Sequence, residues 1–232
     1  MTVRLERLRT AVADAGRELE RAGLVEGTSG NLSARDPASG TIAITPSAVE
    51  YRRIHPADVL LVGGDGSLEE APHLPSSELS MHLAVYRGRP DVGAVVHTHS
   101  PWATTWAVLG REIPAVHYVI ASIGDAVRVA PYATFGTEAL ARNVVATLGA
   151  DNAVLLASHG VLAVGAGLRA ALENAVRVEF LAEVWWKASQ VGVPVVLPPE
   201  ELDRVRAQMA AKQAGGSLPE SLPDRDKRAR DA

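Results

Sequence analysis

The sequence has no cysteine. Disulfide staples and thiolate metal sites are excluded, so any metal must be held by histidine and carboxylate. Basic residues are in short supply as well: 23 Lys and Arg against 27 Asp and Glu leave a formal net charge of −4. That balance lacks the positive surface excess of a nucleic-acid binder and would weakly repel a polyanion. No stretch approaches the roughly 18 apolar residues of a membrane span. The start, Met1 to Arg9, runs straight into an amphipathic helix and lacks the apolar core of a secretory signal. There is no GxGxxG or P-loop, which argues against a nucleotide cofactor, and no internal repeat. A cytoplasmic protein with neither nucleic-acid nor membrane partners is expected.

What is present suits one large α/β domain: 232 residues, 47% apolar and 22% charged. Leu5, Leu8, Val12, Ala15 and Leu19 recur at helical spacing up to Gly23, a natural helix stop. Short strands are predicted at 32–35, 41–45 and 59–62, and Leu74-Pro75-Ser76-Ser77-Glu78 opens a helix with a serine as N-cap. A buried strand follows over Val92–His99, then a short helix over Trp102–Leu109. Strand-like pieces come next at Ile113–Ile120 and Val127–Ala130, then a helix from about Thr137 to Leu148. Residues Asn152–Val164 read as strand, sharp turn, strand. A long helix over Leu168–Ala188 carries two apolar stripes, the second being Val176, Phe180 and Val184. Two such faces suit equally a subunit interface and a central core helix. Hairpins interspersed with helices predict a mixed, mainly antiparallel central sheet flanked by helices on both faces. The domain should span residues 1–214. Residues 215–232 should form a loose tail, with the mixed-charge run Asp224–Asp231 solvated.

The chemistry concentrates in histidine. In Val95-Val96-His97-Thr98-His99 the two imidazoles are two residues apart, so a strand projects both to one spot. Buried imidazoles without partners are costly; a metal removes that cost, and so would a hydrogen-bonded structural pair. Ser158-His159-Gly160 adds a third imidazole at a turn between apolar strands, and three histidines with an open position are the usual make-up of a catalytic zinc site. Glu78 at its helix start is either a favourable dipole charge or a fourth member of that set. The remaining histidines, His55, His73, His82 and His117, carry no such pattern. Three small Ser/Thr-rich loops, 27–31, 45–48 and 75–78, offer backbone N–H groups and hydroxyls to a phosphate without any Lys or Arg.

The ordered set Gly27-Thr28-Ser29-Gly30-Asn31, Ile44-Thr45-Pro46-Ser47, Leu74-Pro75-Ser76-Ser77-Glu78, Val95 to His99, Ile113-Pro114-Ala115-Val116-His117-Tyr118, Ala130-Pro131-Tyr132-Ala133-Thr134-Phe135-Gly136 and Ser158-His159-Gly160 resembles the class II aldolase/adducin family over roughly residues 5–190. The His117-Tyr118 pair and the Pro131–Gly136 segment point to its fuculose-phosphate branch. The resemblance implies Zn²⁺, or another divalent transition metal, on His97, His99 and His159, with Glu78 completing the coordination and acting as base. It implies substrate and phosphate contacts at Ser29, Gly30, Asn31, Thr45, Ser47, Ser76 and Ser77, and an aromatic wall at Phe135. It further implies a homotetramer in which Tyr118 reaches a neighbour's site. The implied substrate is a ketose 1-phosphate such as L-fuculose 1-phosphate, cleaved to dihydroxyacetone phosphate and an aldehyde such as lactaldehyde. Relatives of the same family include 5-deoxypentulose 1-phosphate aldolases, pentulose-phosphate 4-epimerases and methylthioribulose-1-phosphate dehydratases, while adducin-like members, interaction modules without metal, are expected to lose the histidines. A plain zinc hydrolase would share the metal set but not the phosphate-type loops. One departure from the pattern is Ala48, where the fuculose-phosphate branch usually has Gly; a positive φ there would strain alanine. The tail has no recognisable counterpart of the segment that helps close the site in some relatives.

Overall fold

The computed structural model describes residues 2–68 and 73–213. Its centre is a seven-stranded sheet in the order β3-β2-β1-β4-β7-β6-β5. The strands are β1 (Asn31–Arg35), β2 (Ile42–Ile44), β3 (Leu60–Val62), β4 (Ala94–Thr98), β5 (Val129–Ala130), β6 (Ala153–Leu156) and β7 (Gly160–Gly165). Strand β5 runs parallel to β6, and the other pairings are antiparallel. Helices α1 (Thr2–Arg21), α3 (Pro101–Leu109), α5 (Leu168–Val191) and α6 (Pro199–Gln213) share one apolar core with one face of the sheet. Helices α2 (Leu79–Gly88) and α4 (Glu138–Leu148) share a second core with the other face. The α/β architecture is the one expected, with helices on both faces.

Alternation along the strands sorts the side chains. Leu32, Ala34, Ala94 and Val96 enter the first core, and Val95 the second. Asn31, Ser33 and His97, odd-numbered on adjacent strands, therefore face α2. The register pairs Asn31 with His97 on β1–β4 and His97 with Leu162 on β4–β7. The bend from β4 into α3 is held from behind. Buried Glu179 on α5 accepts hydrogen bonds from the Trp102 and Ala103 N–H groups at 3.0 and 2.9 Å, satisfying two first-turn amides of α3.

Several local expectations are corrected. The α2 N-cap is Glu78 rather than a serine; Ser76, two residues earlier, instead accepts at Oγ from the Glu78 N–H at 3.2 Å. The stretch 113–120 is not a strand. Ile113 bridges Val127, but Val116 N–H then turns back to the Pro114 carbonyl at 2.7 Å and a 3-10 helix occupies Tyr118–Ser122. Proline, with no N–H to give, ends the ladder there. Helix α5 buries Leu172, Ala175, Val178 and Ala182 of its first stripe, with Leu168 and Trp185 at the stripe's ends half-buried. Phe180 on the second is 39% exposed, so the helix is not enclosed on both sides within one chain. Helix α6 had no expectation. The proposed tail at 215–232 lies outside the described residues.

Candidate active site

Two chain segments bring the three imidazoles together. His97 sits on β4, His99 just past its end, and His159 in the tight turn between β6 and β7. That turn needs unusual backbone: Ser158 has φ 52°, with its N–H bonded to the Ala107 carbonyl at 3.1 Å. It also needs a close approach. A Cβ on Gly160 would lie 2.4 Å from the Thr98 carbonyl oxygen and 3.0 Å from His99 Cδ2, so glycine lets the hairpin press against the end of β4. The rings consequently meet with centroid separations of 4.9 Å (His97–His99), 4.8 Å (His97–His159) and 5.1 Å (His99–His159).

Their nitrogens converge. His97 Nδ1 lies 2.9 Å from the Val161 carbonyl, which accepts a hydrogen bond from Nδ1–H and so turns Nε2 toward the site. That Nε2 stands 3.0 Å from His99 Nε2 and 3.1 Å from Glu78 Oε2, while Glu78 Oε1 is 3.5 Å from His159 Nε2. Glu78 Oε1 is buried and, among the described residues, has no hydrogen-bond donor. Such crowding of lone pairs beside an unsatisfied carboxylate oxygen is costly for protein alone and is relieved by a cation. The three histidines form a group whose ligand atoms lie within 4.8 Å of one another, a donor set that fits a divalent metal with an open position.

Electrostatics agree with that use. Burial, reinforced by the positive charge available to His97 and His159, pushes the His99 pKa down to about 4, and burial likewise lowers that of His159. Both shifts favour the neutral imidazole that a metal requires. Burial would raise the Glu78 carboxyl, but His97, the Asn31 amide and His159 outweigh it and hold the group far below the usual carboxylate range.

A cavity of about 380 Å³ opens beside the histidines. Ser29, Gly30, Asn31, Ser47, Ser76 and Ser77 line it together with Glu78, His99 and His159, and Phe135 stands at its rim, 64% exposed. None of the lining residues is Lys or Arg, so an anion there would meet neutral donors. Gly30 has φ 72°, and a Cβ on it would lie 2.6 Å from the His97 carbonyl oxygen, so this loop reaches the metal strand only as glycine. Ala48, also on the wall, adopts φ 59°, the strained conformation that its replacement of glycine raised.

The comparisons with known proteins bear on this arrangement. Residues 10–186 match the family model described as Class II Aldolase and Adducin N-terminal domain. The 5-methylthioribulose-1-phosphate/5-deoxyribulose-1-phosphate aldolase of Rhodospirillum rubrum is 42% identical over 213 residues, covering 91% of this chain and 95% of that protein. The L-fuculose phosphate aldolase of an Escherichia coli strain is 40% identical over 198 residues, covering 84% of this chain and 91% of that protein. A solved L-fuculose 1-phosphate aldolase superposes with TM-score 0.86 at 39% identity, over 88% of this chain and 96% of the other. The chain belongs to the class II aldolase and adducin family. It is an aldolase of the class II type, a carbon–carbon lyase.

One of the aldolase's expected site residues, Thr45, sits elsewhere, and Tyr118, expected to reach a neighbour's site, lies outside its own chain's cavity. Thr45 is buried behind the cavity wall, its Oγ1 accepting from the Leu32 N–H at 3.2 Å, and its side chain does not line the cavity. Its loop arrives at the cavity through Ser47 and Ala48 instead. Tyr118 is 55% exposed, stacks on His117 with centroids 4.6 Å apart, and is not part of its own chain's cavity. Asn31 is nearer still to the chemistry than a phosphate contact: its amide donates to Glu78 Oε2 at 3.0 Å. Two residues without an assigned role prove relevant. Tyr132 lines the cavity from within the Pro131–Gly136 segment, and His82 is buried behind Glu78. The spacing of Glu78 and His82, one helical turn, was a usable signal for the latter.

Proposed function

We propose that this aldolase cleaves a ketose 1-phosphate between C3 and C4, reversibly releasing dihydroxyacetone phosphate and a short aldehyde with an apolar end. The convergence of three imidazoles and Glu78 on one side of a cavity whose other walls are neutral phosphate-type loops carries this reading. His97, His99 and His159 would hold Zn²⁺, the ion suited to a three-nitrogen set without thiolates. Bound there, it supplies Lewis-acid polarisation of the ketose carbonyl.

The chain's own residues do the rest. Gly30, Ser29, Ser47, Ser76 and Ser77 bind the phosphate through hydroxyls and backbone N–H groups. Tyr118 of a neighbouring copy takes the proton of the C4 hydroxyl and passes it to solvent as the C3–C4 bond breaks. Glu78, protonated in turn from solvent, delivers one proton to C3, so the protons lost and gained balance. The reverse steps make the bond. The surface cluster of exposed Tyr118 and Phe180 around half-buried His117, with His117 and Phe180 ring centroids 5.2 Å apart, supports assembly of copies, read here as a cytoplasmic homotetramer.

The aldehyde end would face Tyr132, Ala133 and Phe135. This apolar rim suits the methyl end of L-fuculose 1-phosphate and equally that of a 5-deoxypentulose 1-phosphate. Similarity to relatives of both names is nearly equal, 40% against 42%, and a methyl-sized difference in a pocket is worth only about 1–3 kcal/mol. The test is a panel of L-fuculose, 5-deoxyribulose and 5-methylthioribulose 1-phosphates, with dihydroxyacetone phosphate measured before and after chelation. Cleavage of at least one, lost on chelation and restored by Zn²⁺, is expected. Release from none of them, or full activity without metal, would overturn the proposal.

A further inference from the structure

Behind Glu78 runs a chain of buried polar side chains. Asn31 Nδ2 donates to Glu78 Oε2 at 3.0 Å, and Asn31 Oδ1 lies 2.6 Å from His82 Nε2. His82 Nδ1 is 2.7 Å from Ser33 Oγ, which is 2.8 Å from the Tyr86 hydroxyl. All five residues are buried, and His82 and Ser33 have no solvent exposure. Asn31 and Ser33 alternate onto one face of β1, while Glu78, His82 and Tyr86 recur once per turn at the start and along α2.

The direction of every hydrogen bond follows from its end. An ionised carboxylate only accepts, so the amide nitrogen of Asn31 must face it and the amide oxygen must face His82. That oxygen only accepts, so His82 carries its proton on Nε2. Burial holds His82 neutral, its pKa pushed down to about 3, which leaves Nδ1 as an acceptor for the Ser33 hydroxyl. Ser33 in turn accepts from Tyr86. Four hydrogen bonds thus point one way, toward a single oxygen of Glu78. Polar groups so deep in a core would otherwise cost stability, and chains of this kind polarise and fix one another.

The two oxygens of Glu78 consequently differ. Oε2 is taken by Asn31; Oε1 is buried and, among the described residues, without a hydrogen-bond partner. We propose that Tyr86, Ser33, His82 and Asn31 are positioning residues for Glu78, which hold Oε2 as a fixed acceptor and reserve Oε1 as the oxygen that carries the proton to and from substrate C3. This assignment rests on the aldolase reading above.

The test isolates the proton step. Zinc-loaded protein is given dihydroxyacetone phosphate in D₂O, and hydrogen exchange at its C3 is followed by NMR. Zinc per chain, thermal midpoint and the KM of cleavage are measured alongside. His82→Leu removes the donor to Asn31 and is expected to slow exchange per bound zinc by roughly 10–100-fold, with KM nearly unchanged. His82→Gln, which keeps an amide donor, should recover most of that loss. Ser33→Ala frees the ring to take the other tautomer and should fall between. Exchange at the wild-type rate per bound zinc in His82→Leu and Ser33→Ala would overturn the assignment. So would equal impairment of the Leu and Gln variants, which marks packing rather than hydrogen bonding. Should His82→Leu fail to fold, undiminished exchange in Ser33→Ala suffices to reject it. Wild-type protein that exchanges no hydrogen would overturn the aldolase reading itself, and the assignment with it.

Discussion

The cavity has two unlike sides. On the metal side His97 rides a central strand, His159 a tight hairpin and Glu78 a helix start, all locked by buried neighbours. At the exposed rim Tyr132 and Phe135 stand on a loop, 65% and 64% exposed, and on the phosphate-type loop Ala48 sits in a strained turn. The chemistry common to a family of enzymes demands fixed atoms, which rigid elements supply. Choice of the aldehyde end needs only a shaped apolar wall, which a loop supplies and which tolerates change.

This contrast can be broken most severely at Glu78. Glu78→Gln keeps the shape and removes the proton carrier, so cleavage should drop by roughly 10²–10⁴-fold while zinc content by atomic emission stays near wild type. Acid is the next lever. His82 has its pKa lowered to about 3, so below the ordinary imidazole value of 6.5 the unfolded chain binds a proton that the folded chain refuses. Stability contributed by this group is complete above that value and declines as pH falls through the window toward 3, by a few kcal/mol in all. Denaturant midpoints measured across this range should fall monotonically with acid; a flat profile would contradict a neutral buried His82.

Smaller effects sharpen the comparison. Gly160→Ala must move the hairpin away from the Thr98 carbonyl, and a loss of about 1–3 kcal/mol in chemical denaturation, together with weaker zinc binding, is expected. On the rim, Phe135→Ala should leave zinc content and fold intact and change kcat/KM by about tenfold, unequally among the candidate aldehydes. Ala48→Gly relieves the positive φ against the extra freedom of glycine in the unfolded chain; a net gain of about 0.5–1 kcal/mol is expected, with no loss of activity.

Much of the metal side was legible in the residues themselves. A strand places alternate side chains together, so His97 and His99 announced a shared target, and the apolar runs around His159 announced a turn between core strands. The rim and its supports were less legible. Thr45 was expected at the phosphate but its hydroxyl turns to accept from the Leu32 N–H, off the cavity, because which way a loop hydroxyl points depends on the strand it lies against. The segment 113–120 looked strand-like by composition, yet the turn at Pro114 sends it into a 3-10 helix. His82 passed as an ordinary helical histidine, since nothing in its own neighbourhood names Asn31 and Ser33 on β1 as partners.

Local order carried the elements, their buried faces and the types of ligand available, since periodicity and the absence of cysteine depend on neighbours along the chain alone. Distances between elements came from elsewhere. The pairing of β4 with β1 and β7 sets His97 opposite Asn31 and Leu162, which brings His159 round to His99 and places α2 above them with Glu78 at its start. Register and helix packing are properties of the whole core, and they turn three separated histidines and one glutamate into a single site.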